Sequence, residues 1–243
     1  APFAAAPAAN KGSDAAKLVA GEDAFSLALN LSGMVFKNLN ALHFEPKAGT
    51  LVDSWQAGKQ AGHVTTFDAA YALVALQIFQ RAQDALPVGY AAGDNGELNL
   101  KTPQGEQAIA LVRKQADFIL ANLKGKNGLV HDGLTLGGKL DAGQSIDAQF
   151  AAIRGLTAAF LATSDAKYRT AARELFIAAD KAYFNAKAGT WLAGKQGEYT
   201  PWTQAAISGA LRSAMLNLRN EGAEKAPELE LAKLTGQYVS WFR

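Results

Sequence analysis

The sequence contains no cysteine among its 243 residues. That one absence excludes disulfides, thiolate zinc sites, iron–sulfur ligation and cysteine nucleophiles. Histidine is scarce, limited to His43, His63 and His131, and neither an HxH nor an HExxH spacing occurs. The signal for a metal centre is therefore weak, and no metal or other cofactor is expected. Nucleophile-elbow, Walker and dinucleotide-binding fingerprints are missing as well. The 24 basic and 22 acidic residues leave a formal charge of +2, without long runs of either sign. With no basic stripe, nucleic acid and anionic membranes are not expected partners. Uncharged runs such as Ala148 to Ile153 and Tyr199 to Leu211 are too short to span a bilayer.

What remains is an ordinary globular composition, 49% hydrophobic and 19% charged, in a chain long enough for a sizeable core. The first residues, APFAAAPAANKGSDAA, are rich in alanine and proline and start without methionine. They look like the terminus left by cleavage at small residues, which predicts a periplasmic or secreted protein with its signal peptide removed. Residues 1–20 carry little apolar periodicity and are expected to form a flexible arm. Residues 21–243 are expected to form one domain.

The pattern in that domain is helical. Seven helices are predicted, over about 23–42, 66–86, 103–123, 145–162, 165–184, 201–219 and 227–243. The first, third and fifth mix charged and apolar faces, whereas the second, fourth and sixth are apolar nearly all round. Amphipathic helices cover a core and uniformly apolar ones must be enclosed, so an outer odd-numbered layer should surround an inner even-numbered one. No segment alternates with period two for long enough to predict a sheet. The expected fold class is all-α, an (α/α) hairpin repeat.

An internal repeat supports this reading. A shift of 79 residues superposes Lys47 on Lys126, Gly49 on Gly128, Asp53 on Asp132, Thr66 on Ser145 and Asp68 on Asp147. A third unit repeats KAGT at residues 187–190 and a cap at Thr200, but Ala193 and Trp202 replace its aspartates. The units span about 23–86, 103–162 and 165–219, each an outer helix, a glycine-containing loop and a capped inner helix.

The stretch AAFLATSDAKYRTAARELFIAADKAYFNAKAGTW, residues 158–191, resembles the six-hairpin (α/α) toroids. The likeness is to N-acylglucosamine 2-epimerase-like and thioredoxin-associated toroid domains, in which an ATGD-x-KY-type turn joins an inner helix to the next outer one. The resemblance covers about residues 105–218 and rests on a structural motif; no catalytic motif matches, so no catalytic residue is carried over. Three hairpins and one further helix amount to about half a toroid, an incomplete or open arc.

All outer-to-inner loops connect the same layers in the same sense, so they should gather on one rim. The N-termini of the inner helices point there with their partial positive charge. Asp132, His131 and Asp53 lie in these loops and are the candidates for acid–base catalysis; loop hydrogen bonding is their structural alternative. Asp68 and Asp147 sit in first helical turns, where a carboxylate stabilises the helix end by about 0.3–1 kcal/mol. Trp55, Trp191, Tyr199 and Trp202 supply flat rings suited to sugar faces, with His63, Gln149 and Gln204 adding polar contacts. Packing beneath the loops is the alternative for the rings. Two functions follow: an exported domain binding a carbohydrate or similar polar ligand at the rim, with glycan chemistry as an extension, or a non-catalytic helical scaffold. The scaffold would dock a protein partner, or a second copy of itself, through its open edge.

Overall fold

The computed structural model describes residues 24–56, 58–84, 103–192 and 201–218, with Gly236 and Val239 as isolated helical positions. The expected N-terminal arm, the loop 87–102 and nearly all of the predicted seventh helix lie outside the described residues. Among the described residues six helices form where the apolar periodicity predicts them. They are α1 Ala24–Asn38, α2 Thr66–Asp84, α3 Pro103–Phe118, α4 Ile146–Thr163, α5 Ala166–Tyr183 and α6 Pro201–Asn217. Both α1 and α3 run on through a five-residue π turn, Leu39–His43 and Ile119–Leu123.

The layers are those the alternation of charge implies. Inner helix α4 packs against its inner neighbours α2 and α6 and against outer helices α3 and α5, and α2 packs against α3. In α4 burial reaches most of the circumference, Ala148, Gln149, Ala151 and Ala152 being buried as well as Ile146, Phe150, Ile153 and Leu156. Outer helix α5 buries one stripe, Tyr168, Ala172, Leu175, Phe176 and Ala179, and leaves Lys167, Glu174 and Lys181 exposed. Two of its arginines depart from the simple pattern. Arg169 and Arg173 are buried, Arg173 donating to the Leu218 carbonyl just past α6 at 2.5 Å and so linking the layers.

Each outer helix leads into a tight reversal. Strands β1 (Phe44–Glu45) and β2 (Thr50–Leu51) pair after α1, Lys124 bridges Val130 after α3, and Phe184–Asn185 pairs with Thr190–Trp191 after α5. These reversals explain the repeated glycine: Gly49, Gly128 and Gly189 have φ of 71°, 84° and 68°, a region that favours a residue without Cβ. The other ladders join β3 (Trp55–Gln56) to β4 (Lys59–Gln60) and β5 (His63–Thr65) to β6 (Gly133–Thr135); the last pair, β7 and β8, is the one after α5. All are two or three residues long, too short for period-two alternation to register.

The toroid-like turn between α4 and α5 has a structural explanation residue by residue. Ser164 adopts the left-handed conformation (φ 56°) and donates its N–H to Phe160 O at 2.7 Å, closing α4. Asp165 caps α5 by accepting from Lys167 N–H, and Tyr168 is wholly buried, its hydroxyl 3.0 Å from Asp117 Oδ1.

Inner helices α2 and α4 meet at Gly155, where a Cβ would lie 2.7 Å from the Ala70 carbonyl oxygen and 2.9 Å from its Cα. Gly33 in α1, by contrast, has nothing within 4 Å of the same position. Gly155→Ala should therefore destabilise the protein by about 1–3 kcal/mol through overpacking. Gly33→Ala should be neutral, or stabilising by up to about 1 kcal/mol through helix propensity. Urea unfolding of the two variants tests the contact; equal stability would mean that α2 and α4 are not held this closely.

Candidate functional site

Two loops build the described part of the rim, one entering α2 and the other entering α4. Backbone pairing of β5 with β6 joins them, with His63 opposite Thr135, Val64 opposite Leu134 and Thr65 opposite Gly133. Within each loop an aspartate does the same work. Asp53 Oδ1 accepts the Thr65 N–H at 2.6 Å, and Thr65 Oγ1 accepts the Asp68 N–H at 3.2 Å. Asp132 Oδ1 accepts the Ser145 N–H at 2.6 Å, and Ser145 Oγ accepts the Ala148 N–H at 3.2 Å. A loop carboxylate thus fixes the capping residue, and that residue's hydroxyl fixes the first turn. The cap chemistry pairs Thr65 with Ser145, whereas a uniform 79-residue shift pairs Thr66 with Ser145; the second loop is one residue longer.

Thr66 reaches across units instead. Its N–H donates to Asp132 O at 2.8 Å and its hydroxyl to His131 O at 2.5 Å, so the start of α2 is satisfied by the neighbouring unit's loop.

His63 sits between two carboxylates, with Nδ1 2.9 Å from Asp53 Oδ2 and Nε2 3.0 Å from Asp141 Oδ2. Ionised carboxylates only accept, so both contacts are hydrogen bonds when the ring carries two protons. The hydrogen bond to Asp53 raises the His63 pKa above its ordinary value; burial opposes the rise and Asp141 adds to it. His131 Nδ1 lies 2.8 Å from the Asp141 carbonyl oxygen, which only accepts, so Nδ1 is the donor. Asp141 therefore links the two histidines. Tyr183, at the end of α5, donates to Gln144 O at 2.5 Å; burial and then the nearby Asp132 charge push its pKa up.

Asp141 is the residue that reading the sequence missed. It has no counterpart in the repeat, and it reaches His63 through a small reversal at Gly137-Gly138. There Gly138 N–H donates to Thr135 O, Thr135 N–H to Lys139 O, and Leu134 bridges Leu140. A Gly-Gly pair between Leu136 and Lys139 is the hairpin signal that would have found it.

The other expected ligand contacts divide. Trp55 and Trp202 are 42% and 71% exposed, and Gln204 is half-buried in the first turns of α6. Two side chains expected at the rim surface are interior. Trp191 is wholly buried among Phe150, Phe176 and Phe184, and its Nε1 donates to Asp180 Oδ1 at 3.0 Å. Gln149 is wholly buried too, its amide accepting from Val130 N–H and donating to Val130 O, each at 2.8 Å. Trp191 follows the packing alternative, filling the space beneath its loop, and Gln149, one turn into an inner helix, clamps a backbone segment instead of facing the rim. Tyr199 lies outside the described residues. Asp68 and Asp147 lie in the first turns of α2 and α4. Among the described residues no group of three or more His, Asp or Glu side chains is arranged to hold a metal ion, and no helix is long and apolar enough to cross a membrane.

The His63 cluster makes stability depend on pH. A raised histidine pKa contributes stability that is fully present below the unfolded value of about 6.5 and is lost as pH rises through the folded value. The site is about a third exposed, so the effect is at most about 1 kcal/mol. Asp141→Asn should therefore cost more stability at about pH 5.5 than at about pH 8.5, on either side of the histidine range. Urea unfolding at the two pH values measures this, and an equal cost at both would mean that His63 does not change its charge between them.

No protein-family model matches the sequence, and neither does any curated protein. Solved structures do match. A sugar epimerase from a ruminal bacterium superposes with a TM-score of 0.59 at 12% identity, over 85% of this chain and 52% of its own. A cellobiose 2-epimerase from Bacillus thermoamylovorans gives 0.59 at 10% identity, over 93% of this chain and 56% of its own. At such identities the likeness is one of fold, and this chain spans about half the length of either structure. The fold is that of an α/α-toroid-type hairpin repeat, as the turn at Ser164 and the layered helices imply.

Proposed function

We propose that this chain binds a carbohydrate or similar polar ligand on the rim formed by its outer-to-inner loops. The observation that carries the reading is the pairing of exposed Trp55 with the polar cluster two residues away, where Asp53, His63 and Asp141 stand in line. An exposed indole offers a flat apolar face, and neighbouring donors and acceptors orient hydroxyl groups against it. In this reading Asp53 and Asp132 hold the loops, while His63, His131 and Asp141 present polar groups to the ligand. Trp202 and Gln204, on the first turns of α6, extend the surface. The epimerase likeness supports a sugar-related ligand by fold only. A periplasmic or secreted location is part of the proposal and rests on the Ala- and Pro-rich composition of residues 1–16.

One observation favours a second reading, a helical scaffold that docks a protein. Leu27, Leu31, Met34 and Val35 on α1 are each 59–67% exposed, and α1 and α2 flank an apolar groove lined by Leu31, Val35, Ala75 and Phe79. An exposed apolar face of this kind marks an interaction surface.

The two readings separate in one set of samples. If the rim binds glycans, oligosaccharides should change the tryptophan fluorescence, and Trp55→Ala or Trp202→Ala should abolish the change while light scattering shows an unaltered mass. No response across a broad glycan panel, with self-association through α1, would replace the first reading by the second.

A further inference from the structure

A second, separate cleft lies on the inner helices, and it goes beyond the rim reading. It has a volume of about 230 Å³ and is bordered by Gln77 and Ile78 of α2, Arg154 and Leu161 of α4, and Arg212 and Leu216 of α6. None of its lining residues is acidic. Among the described residues neither guanidinium has a carboxylate partner. A half-buried arginine is ordinarily paired, and this one is held in another way. The Arg154 guanidinium lies 5.2 Å from the Tyr71 ring centroid, with Nη1 3.4 Å from the Tyr71 hydroxyl. Tyr71 is itself stacked on Phe67 at 4.6 Å. A cation over an aromatic face keeps its plane fixed while its remaining donors stay available.

The neighbouring helix makes room for that arginine. A Cβ at Gly209 of α6 would lie 2.5 Å from Arg154 Nη1, so only glycine there leaves the guanidinium where it is. Arg212 is one turn further along α6 and exposed. The lining also carries exposed aliphatic side chains: Ile78, Leu161 and Leu216 are 59%, 46% and 63% exposed. Isolated exposed aliphatic side chains are common, but three from three helices, in one cleft with two guanidiniums that have no carboxylate partner among the described residues, describe an amphipathic recess.

We infer that this cleft is a binding site for a small amphipathic organic anion. Its carboxylate or phosphate would sit between Arg154 and Arg212, and its apolar body against Ile78, Leu161 and Leu216. Planar, charge-assisted hydrogen bonding by arginine suits either anionic group.

Calorimetric titration of the full chain with hexanoate and hexyl phosphate tests this, with hexanol and inorganic phosphate as the neutral and the body-less controls. Either acid should bind, and the tighter one identifies the head group. Each control should bind at least about tenfold more weakly than its acid, and Arg212→Gln, at an exposed position, should weaken the acid by about tenfold. Arg154→Gln and Gly209→Ala should each weaken it as well, and Trp55→Ala should leave it unchanged. Absence of binding by both acids, binding of a control as tight as that of its acid, or undiminished binding in Arg212→Gln would overturn the inference.

Discussion

A carboxylate that accepts the amide of a helix-capping residue is the interaction on which this rim depends. Asp53 does this for Thr65 and Asp132 for Ser145, each at 2.6 Å. Each loop must return from the end of an outer helix to the start of an inner one, and its backbone donors would otherwise be unsatisfied. Once Asp53 fixes Thr65, strand β5 is in register to pair with β6, and Thr66 meets the carbonyls of His131 and Asp132. Asp53's second oxygen then holds His63 against Asp141. Architecture and the polar cluster share the same atoms. A substitution at Asp53 is consequently a change to the scaffold before it is a change to any chemistry.

The parts of this design that were legible in the sequence are those set by local rules. Uniform apolarity marked α4 as an inner helix, Thr102-Pro103 marked the start of α3, and the repeated glycine marked the reversals at Gly49, Gly128 and Gly189. The repeat also singled out Asp53 and Asp132, and Ser145 and the Thr65-Thr66 pair were legible as caps, but the hydrogen bonds joining each aspartate to its cap were not. What escaped depends on contacts between distant segments. Asp141 is 78 positions from His63; the Gly-Gly pair beside it marks a local reversal but does not say which distant residue that reversal meets. Trp191 and Gln149 looked like rim residues by position, yet the first fills the aromatic core and the second clamps Val130. Arg169 and Arg173 are among the charges that mark α5 as an outer helix, yet both are buried, Arg173 against the Leu218 carbonyl.

The molecule offers two surfaces of different character. The rim is polar and held by hydrogen bonds that cross between repeat units, with Trp55 exposed beside it. The inner-helix cleft mixes aliphatic and polar side chains and carries its charge on arginines. A hairpin repeat separates them naturally: loops gather at one end of the inner helices, while helix faces turned from the outer layer remain available along their length. In the proposed reading, the first suits a ligand with many hydroxyl groups and the second a ligand with one anionic group and an apolar body. The fold is shared with sugar epimerases over about half their length, and it supports both without requiring either.

The most direct test of the central claim is amide hydrogen exchange at Thr65 and Ser145. A capping residue's own N–H has no partner inside its helix, so without the loop aspartates these two amides would exchange like open loop positions. The account predicts that both are protected in the native protein, that Asp53→Ala releases Thr65, and that Asp132→Ala releases Ser145. Exchange at loop rates in the native protein, or protection that survives both substitutions, would contradict it.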